Sequence, residues 1–296
     1  TPLPPLPPSP PMPSTVERLG AQHLDALRTF LTRDVKQHLY LLGLLEDFGL
    51  EVTDPRTPHA FYGRLDGDAI TAVLFVGGNG GLVVPSQGDP AHFNELTAPL
   101  VGKVQVKACL GDRAPVDAVV RALGQGHKPR LSVAQRLFTV SADDMGPFTN
   151  PLLRLAKDAD VPRLVELSAE DLEERMGHKP LELDTTALAQ RVRRRVRDAR
   201  SYIFEEDGDI AFKIDIGSRS QWGAELEGLH THRHHRRKGH ALLNLGQISR
   251  HLLSSLPRLS LRVNESDEIT AKIARRVGYV AGASQRLVLL DAPVVR

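Results

Sequence analysis

The stretch HTHRHHRRKGH, residues 230–240, sets five histidines, three arginines and a lysine in eleven positions before the chain turns apolar. Three chemistries suit it. His230 and His232 alternate and His234 and His235 follow, as a metal site would use them, but no Cys, Asp or Glu stands in the loop to complete a tetrahedral set. A nucleic-acid patch would use the same charge, yet no stacking aromatics are interleaved with it. An anion cradle needs only what the position offers. A strand ends near Thr231 and a helix begins near Gly239, so free N–H groups and the positive end of a helix dipole meet there. Gly239 lets a ligand approach the backbone, and Arg236, Arg237 and Lys238 add charge. The expected ligand is a phosphate or pyrophosphate, with no metal.

Positioning that loop takes a strand–loop–helix unit inside a larger α/β plan. Hydrophobic spacing predicts a short first strand and helices over 15–50, and two strands in 60–78 around Asp66-Gly67-Asp68. Strands at 80–85, 104–110 and 130–140 and helices near 90–101 and 114–124 complete a first unit. SADDMGPFTNP (141–151) breaks the pattern and sets a domain boundary. Beyond it come a strand (152–156), helices over 158–177 and 183–199, the second capped by Asp184, and two strands around Asp207-Gly208. Then follow the strand AELEGLHT (224–231), a helix (239–256), a strand (259–264), a helix (266–278) ending at Gly278, and a terminal hairpin (279–290).

Composition bounds the rest. The 296 residues, 41% hydrophobic and 25% charged, suit two globular domains. Net charge is +2, too little for a chain devoted to nucleic acid. Positive charge is local, in residues 233–238 and in RVRRRVR (191–197), whose Val192 and Val196 read as the buried stripe of an exposed helix. That run would otherwise touch an acidic partner or a phosphate. Cys109 is the lone cysteine, which excludes an intrachain disulfide and suits a reducing cytoplasm. No apolar run reaches membrane-spanning length, and no secretory signal pattern opens the chain. Residues 1–13 hold eight prolines and read as an extended tail.

The hexapeptide Arg236-Arg237-Lys238-Gly239-His240-Ala241 matches the R-x-x-G-x-A loop of the GNAT N-acetyltransferase superfamily. The wider LEGLHTHRHHRRKGHA (226–241) resembles the strand–THPxYRGxGxA–helix passage, with Arg233 in place of the common proline. LRVNESDEITAKIARRVGY (261–279) is similar to the family's L-x-V-N-x-x-N-x-x-A-x-x-L-Y-x-x-x-G-F segment. Asn264, Ile273, Gly278 and Tyr279 fall in place, Asp267 stands for a second Asn, and Thr270 for Ala. The resemblance covers the second half. RLSVAQRLFTV (130–140) and EDLEERMGHKP (170–180) extend it to two-part bacterial GNAT proteins. It implies a proline-rich tail (1–14), a degenerate GNAT-like domain (15–145) without a phosphate loop, and an acetyltransferase domain (150–296). Each domain would be a mostly antiparallel sheet with a splayed parallel pair, flanked by helices.

The resemblance further implies that acetyl-CoA is the co-substrate, its pyrophosphate on the amides of residues 236–241, with Asn264 and Asp267 in the cofactor set. N–H groups of Leu229 and Thr231 would face the thioester oxygen. For the base that deprotonates an amine, Glu225 and Glu227 alternate onto one face. Glu225 stands where histone-modifying members carry a glutamate. An imidazole ordinarily titrates near neutrality, so His230 is a third candidate. Glu170, Glu173 and Glu174 would attract the cationic amine, or face solvent. The position that often carries a general-acid tyrosine is Ala274. The expected function is therefore an acetyl-CoA-dependent N-acetyltransferase acting on a primary amine. A non-catalytic acyl-CoA-binding regulatory or interaction module is the alternative. A homodimer is compatible with these residues, and a membrane is not expected as partner.

Overall fold

Periodic apolar spacing becomes regular elements in nearly the expected order. The computed structural model describes residues 14–124, 126–176 and 184–290; the proline-rich segment 1–13 and residues 177–180 of the quoted EDLEERMGHKP lie outside them. The first half contains β1 (Ser14–Arg18), α1 (Leu24–Thr32), α2 (Val35–Phe48), β2 (His59–Asp66), β3 (Ala69–Gly77), β4 (Leu82–Pro85), α3 (Pro90–Thr97), β5 (Ala108–Asp112), α4 (Arg113–Leu123) and β6 (Pro129–Val140). The second contains β7 (Arg154–Leu155), α5 (Val161–Met176), α6 (Thr185–Arg197), β8 (Ser201–Glu206), β9 (Asp209–Ser220), β10 (Gly223–Thr231), α7 (His240–Leu253), β11 (Leu259–Asn264), α8 (Glu268–Val277) and β12 (Val280–Leu290). The two halves share one plan. Four strands pair antiparallel, with two helices after the first of them, and a helix then leads to a fifth strand parallel to the fourth.

Local chemistry explains the joints. Asp34 caps α2 by accepting from Gln37 N at 3.3 Å, and Asp184 caps α6 from Ala187 N at 2.9 Å. The β8–β9 turn puts Asp207 and Gly208 at φ 54° and 81°, the two left-handed positions of a tight hairpin. None of the helices among the described residues is long and apolar enough to cross a membrane.

The strands among the described residues join one twelve-stranded sheet, in the order β1-β2-β3-β4-β5-β12-β6-β11-β10-β9-β8-β7. Its centre corrects the sequence reading. Residues 279–290 are not a hairpin. They run as the single strand β12, with Val288 opposite Cys109 of β5 and Leu287 opposite Val133 of β6. The small residues that suggest a turn make a bulge between Ala281 and Ser284 instead. The other edge of β6 pairs with β11, Phe138 opposite Leu261. Each half thus inserts its last strand into the other.

The middle of α2, residues 39–45, is apolar on all sides, which demands burial all round. Leu41, Leu42 and Leu45 pack with Phe61, Val73 and Phe75 of β2 and β3. Its opposite side meets the second half: a Cβ on Gly43 would stand 2.5 Å from the Ser218 side chain, and Asp47 pairs with Arg200. In the second half, α7 and α8 bury Leu245, Ile248, Leu252, Ala274 and Val277 against one face of the sheet. α5 and α6 pack over Ile203 and Ile210 of β8 and β9.

Candidate functional site

The site begins where β10 loses a neighbour. β10 pairs in parallel with β11 only from Ala224 to Leu226, while Arg262 to Asn264 of β11 continue against β6. From Glu227 onward the β11 side of β10 is open. Gly228 takes φ +60° in a bulge, where a Cβ would lie 2.8 Å from Asp215 Oδ2. The bulge consumes one residue, so Glu227 and His230 point to the same face while Leu226 and Leu229 enter the α7 core. Cations brace this stretch: Lys213 Nζ donates to Gly228 O at 3.0 Å, Arg175 to Leu229 O, and Arg236 Nε to Thr231 O at 2.9 Å.

After Thr231 the histidine–arginine loop turns into α7. Arg237 and Gly239 take φ 65° and 85°, and nothing lies within 4 Å of the place a Gly239 Cβ would fill. Leu243 N is the first of the helix to donate, to Gly239 O at 3.1 Å. The N–H groups of residues 237–242, His240 and Ala241 included, have no protein acceptor among the described residues. Glu206 fixes the loop from below. Its Oε2 accepts from Lys238 Nζ at 2.5 Å and lies 2.8 Å from His235 Nδ1 and 3.2 Å from His240 Nε2. The hydrogen bonds from Lys238 and His235 hold its carboxyl down at about 2. His232, His235 and His240 thus face carboxylates, while His234 is exposed against the His232 ring; among the described residues no three His, Cys, Asp or Glu side chains converge as a metal set.

His230 is buried between two acids of α5. Its Nε2 is 3.7 Å from Glu170 Oε2 and its Nδ1 3.6 Å from Asp171 Oδ1. Among the described residues Nε2 has no hydrogen-bond partner, and neither has the buried Thr231 hydroxyl. Burial opposes ionisation of Asp171, but the neighbouring His230 ring and the charges of Arg175 and Lys213 outweigh it and hold the carboxyl below its ordinary range.

The other candidates divide. Glu227 keeps a third of its side chain exposed and pairs with Arg195 of α6. Glu225 is 3% exposed, pairs with Arg262 and accepts from Ser260 Oγ at 3.2 Å; burial pushes its carboxyl up, against the Arg262 charge. It lies in the still-paired part of β10, short of the opening. Glu170 and Glu174 tie α5 to the loop, through His232 at 3.0 Å and Arg236 at 2.7 Å, and Glu173 faces solvent. Asn264 ends β11 at the opening, its Oδ1 accepting from Gln135 Nε2 at 2.9 Å. Asp267 caps α8, accepting from Thr270 N at 2.9 Å. Ala274 is fully buried, and the Tyr279 hydroxyl is buried 2.8 Å from Ser249 Oγ, which leaves neither at the opening.

Sequence reasoning missed Asp171, Arg175, Arg195, Lys213 and Asp215. One sign was available. IAFKIDIG (210–217) is an apolar strand interrupted by Lys213 and Asp215 two apart, so both must share a face and answer each other; they pair at 3.0 Å.

Neither a family model nor a curated protein matches the chain. Solved structures do. A GCN5-related N-acetyltransferase from Sphaerobacter thermophilus is 14% identical, over 94% of this chain and 96% of that one, with a TM-score of 0.54. A GNAT-family acetyltransferase from Colwellia psychrerythraea is 11% identical, over 94% of this chain and all of that one, at 0.52. A Drosophila protein is 16% identical, over 93% and 98% of the two chains, at 0.65. The fold is that of the GNAT acetyltransferases. Likeness at this identity carries the architecture alone.

Within the GNAT fold, the first half's counterpart of the loop lies between β4 and α3, at residues 86–89. There the Asp89 carboxylate accepts from Ala91 N at 2.9 Å, and Pro90 has no N–H to offer. A fixed negative charge occupies the helix start that in the second half is bare.

Proposed function

We propose that the second half of the chain binds acetyl-CoA and transfers its acetyl group to a primary amine. One observation carries this reading: the unpaired N–H groups of residues 237–242, gathered at the turn of Arg237 and Gly239 beside the open edge of β10. A pyrophosphate suits that seat, because bare N–H groups and the helix dipole both favour an anion. The orphaned Thr231 hydroxyl and the Asn264 amide suit the polar groups of a ligand lying in the opening. The division into a degenerate unit (15–145) and an acetyl-CoA unit (150–296) belongs to this reading, supported by Asp89 and Pro90. So does a reducing cytoplasm, which suits the buried Cys109 thiol.

Bound acetyl-CoA supplies an activated acyl group. The chain's own residues orient the amine and take its proton. Glu227, partly exposed at the first open position of β10, attracts the ammonium. His230 accepts the proton at Nε2, while Asp171 on the Nδ1 side holds the ring. Backbone N–H groups near Leu229 and Thr231 serve the thioester oxygen. Glu225 acts through Arg262 as a structural ion pair.

Titration calorimetry with acetyl-CoA, and with desulfo-CoA as comparator, tests the reading. One site per chain is expected, and Gly239→Asp should abolish it by sterics and by charge. Unchanged affinity in folded Gly239→Asp overturns the seat. The buried Ala274 and the engaged Tyr279 hydroxyl favour a second reading, a non-catalytic acyl-CoA-binding module. Binding without turnover of any amine supports it.

A further inference from the structure

A cleft of about 430 Å³ opens in the first half, beside the 86–89 loop. Phe30 of α1, Arg33 and Asp34 at the joint between the helices, and His38 of α2 line one side; Thr71 of β3 and Gln87 line the other. Sites that hold small molecules run from roughly 300 to 1,000 Å³. The walls are braced by groups already engaged. The buried His38 ring donates from Nδ1 to Leu31 O at 3.0 Å and accepts at Nε2 from Gln87 N at 3.2 Å, so it is neutral, as its burial favours. It stacks on Phe30, with ring centres 5.6 Å apart. Thr71 Oγ1 accepts from Arg64 at 2.8 Å and donates to Arg64 O at 3.1 Å. Ser86 Oγ accepts from Val73 N at 3.1 Å and donates to Gln87 O at 3.1 Å, which ties the loop to β3. A cleft so fixed is formed before any ligand arrives, and the ordering cost of binding is small.

Its two charges are unspent. The Arg33 guanidinium lies 5.8 Å from the centre of the Phe30 ring and has neither hydrogen bond nor ion pair among the described residues. Asp34 commits Oδ1 to the cap of α2, accepting from Gln37 N at 3.3 Å, and Oδ2 accepts nothing among the described residues. Consecutive in the chain, the two do not pair with each other. A bare anion in the cleft would meet the Asp34 carboxylate, and a bare cation the Arg33 guanidinium. A ligand carrying both charges satisfies both, and the stacked rings suit an apolar body beside them. We infer that the cleft binds a zwitterionic α-amino acid with an apolar or aromatic side chain, its carboxylate on Arg33, its ammonium on Asp34 and its side chain against Phe30 and His38. The site needs no acetyl-CoA and stands apart from the opening of β10. It gives a ligand to the half whose helix start is already filled by Asp89.

The test titrates the full chain with L-phenylalanine and L-leucine, and with two truncated forms of the first: hydrocinnamate, which lacks the ammonium, and phenethylamine, which lacks the carboxylate. Calorimetry should show one site for phenylalanine, and affinity lower by about tenfold or more for each truncated form, as expected when a charge-assisted hydrogen bond is lost. Arg33→Gln should erase the advantage over phenethylamine, and Arg33→Lys should keep part of it. Asp34→Asn should erase the advantage over hydrocinnamate; asparagine still caps α2, so the melting temperature should hold. Glu227→Gln, in the second half, should leave phenylalanine binding as it was. No binding of either amino acid, equal affinity for a truncated form, or an advantage that survives in both Arg33→Gln and Asp34→Asn overturns the inference. So does binding that Glu227→Gln removes and Arg33→Gln does not, which would move the amino acid to the opening of β10. Failure of the unaltered protein to bind acetyl-CoA removes the acetyltransferase reading and leaves this one standing.

Discussion

At His230 a single side chain separates two explanations of the site. If its bare Nε2 takes the amine's proton, His230→Gln lowers kcat by about 10²–10⁴-fold and leaves acetyl-CoA affinity unchanged, as steady-state kinetics beside calorimetry will show. Glu225→Gln behaves differently. It leaves Arg262 buried without its counter-charge, which costs about 3–5 kcal/mol, so the melting temperature falls and any loss of turnover follows the unfolding. Glu206 gives a pH signature. Its carboxyl sits at about 2 in the fold against an ordinary 4.5. Its contribution is complete above 4.5 and is lost as the pH falls towards 2. Acid titration of the native protein against Glu206→Gln should show the difference closing across that window. The strand–turn–helix passage around Gly239 was legible because a strand end, a glycine and a helix start are local features of the backbone. The partners of His230 and Glu227 were not. Arg195 lies 32 residues from Glu227, and nothing along the chain says which helix face a strand will meet.

The element that organises the site is β10, and its bulge carries most of the meaning. Alternation alone puts Glu225 and Glu227 together and His230 opposite. The left-handed Gly228 reverses the second half of that pattern and brings His230 beside Glu227. Gly228→Ala must adopt φ +60° and place a methyl 2.8 Å from Asp215 Oδ2. A loss of about 1–3 kcal/mol is expected, read by urea unfolding, with turnover falling further than stability explains because His230 turns away. Bulges escape a reading by period. The same blindness produced the terminal hairpin, where Gly282 and its small neighbours resemble a turn but sit in a continuous strand, because β5 and β6 hold both of its edges. Strand and helix identities were otherwise legible, since period and caps such as Asp184 are local facts.

Across the whole molecule, the repeated plan was legible and the exchange of last strands was not, because a strand's pattern shows which face is apolar and never which neighbour it takes. Residues 141–151 break the sequence pattern, but strand pairing crosses that break three times, at β12–β5, β12–β6 and β6–β11. Two polypeptides divided there and expressed apart should each lack a strand and aggregate through the bare edge; co-expression should return a native circular-dichroism spectrum and one species on size exclusion. Independent folding of either piece contradicts this. The exchange also reaches into the making of the protein. Val280 leaves the ribosome 140 residues after Val140 (280 less 140), roughly ten seconds of translation or more. Throughout that interval β5 and β6 wait with a gap between them that only the newest residues can close. Nascent chains of this protein should therefore recruit chaperones from the first half onward. A ribosome stalled in the last few codons of β12 would release a molecule unzipped along its middle rather than frayed at its end.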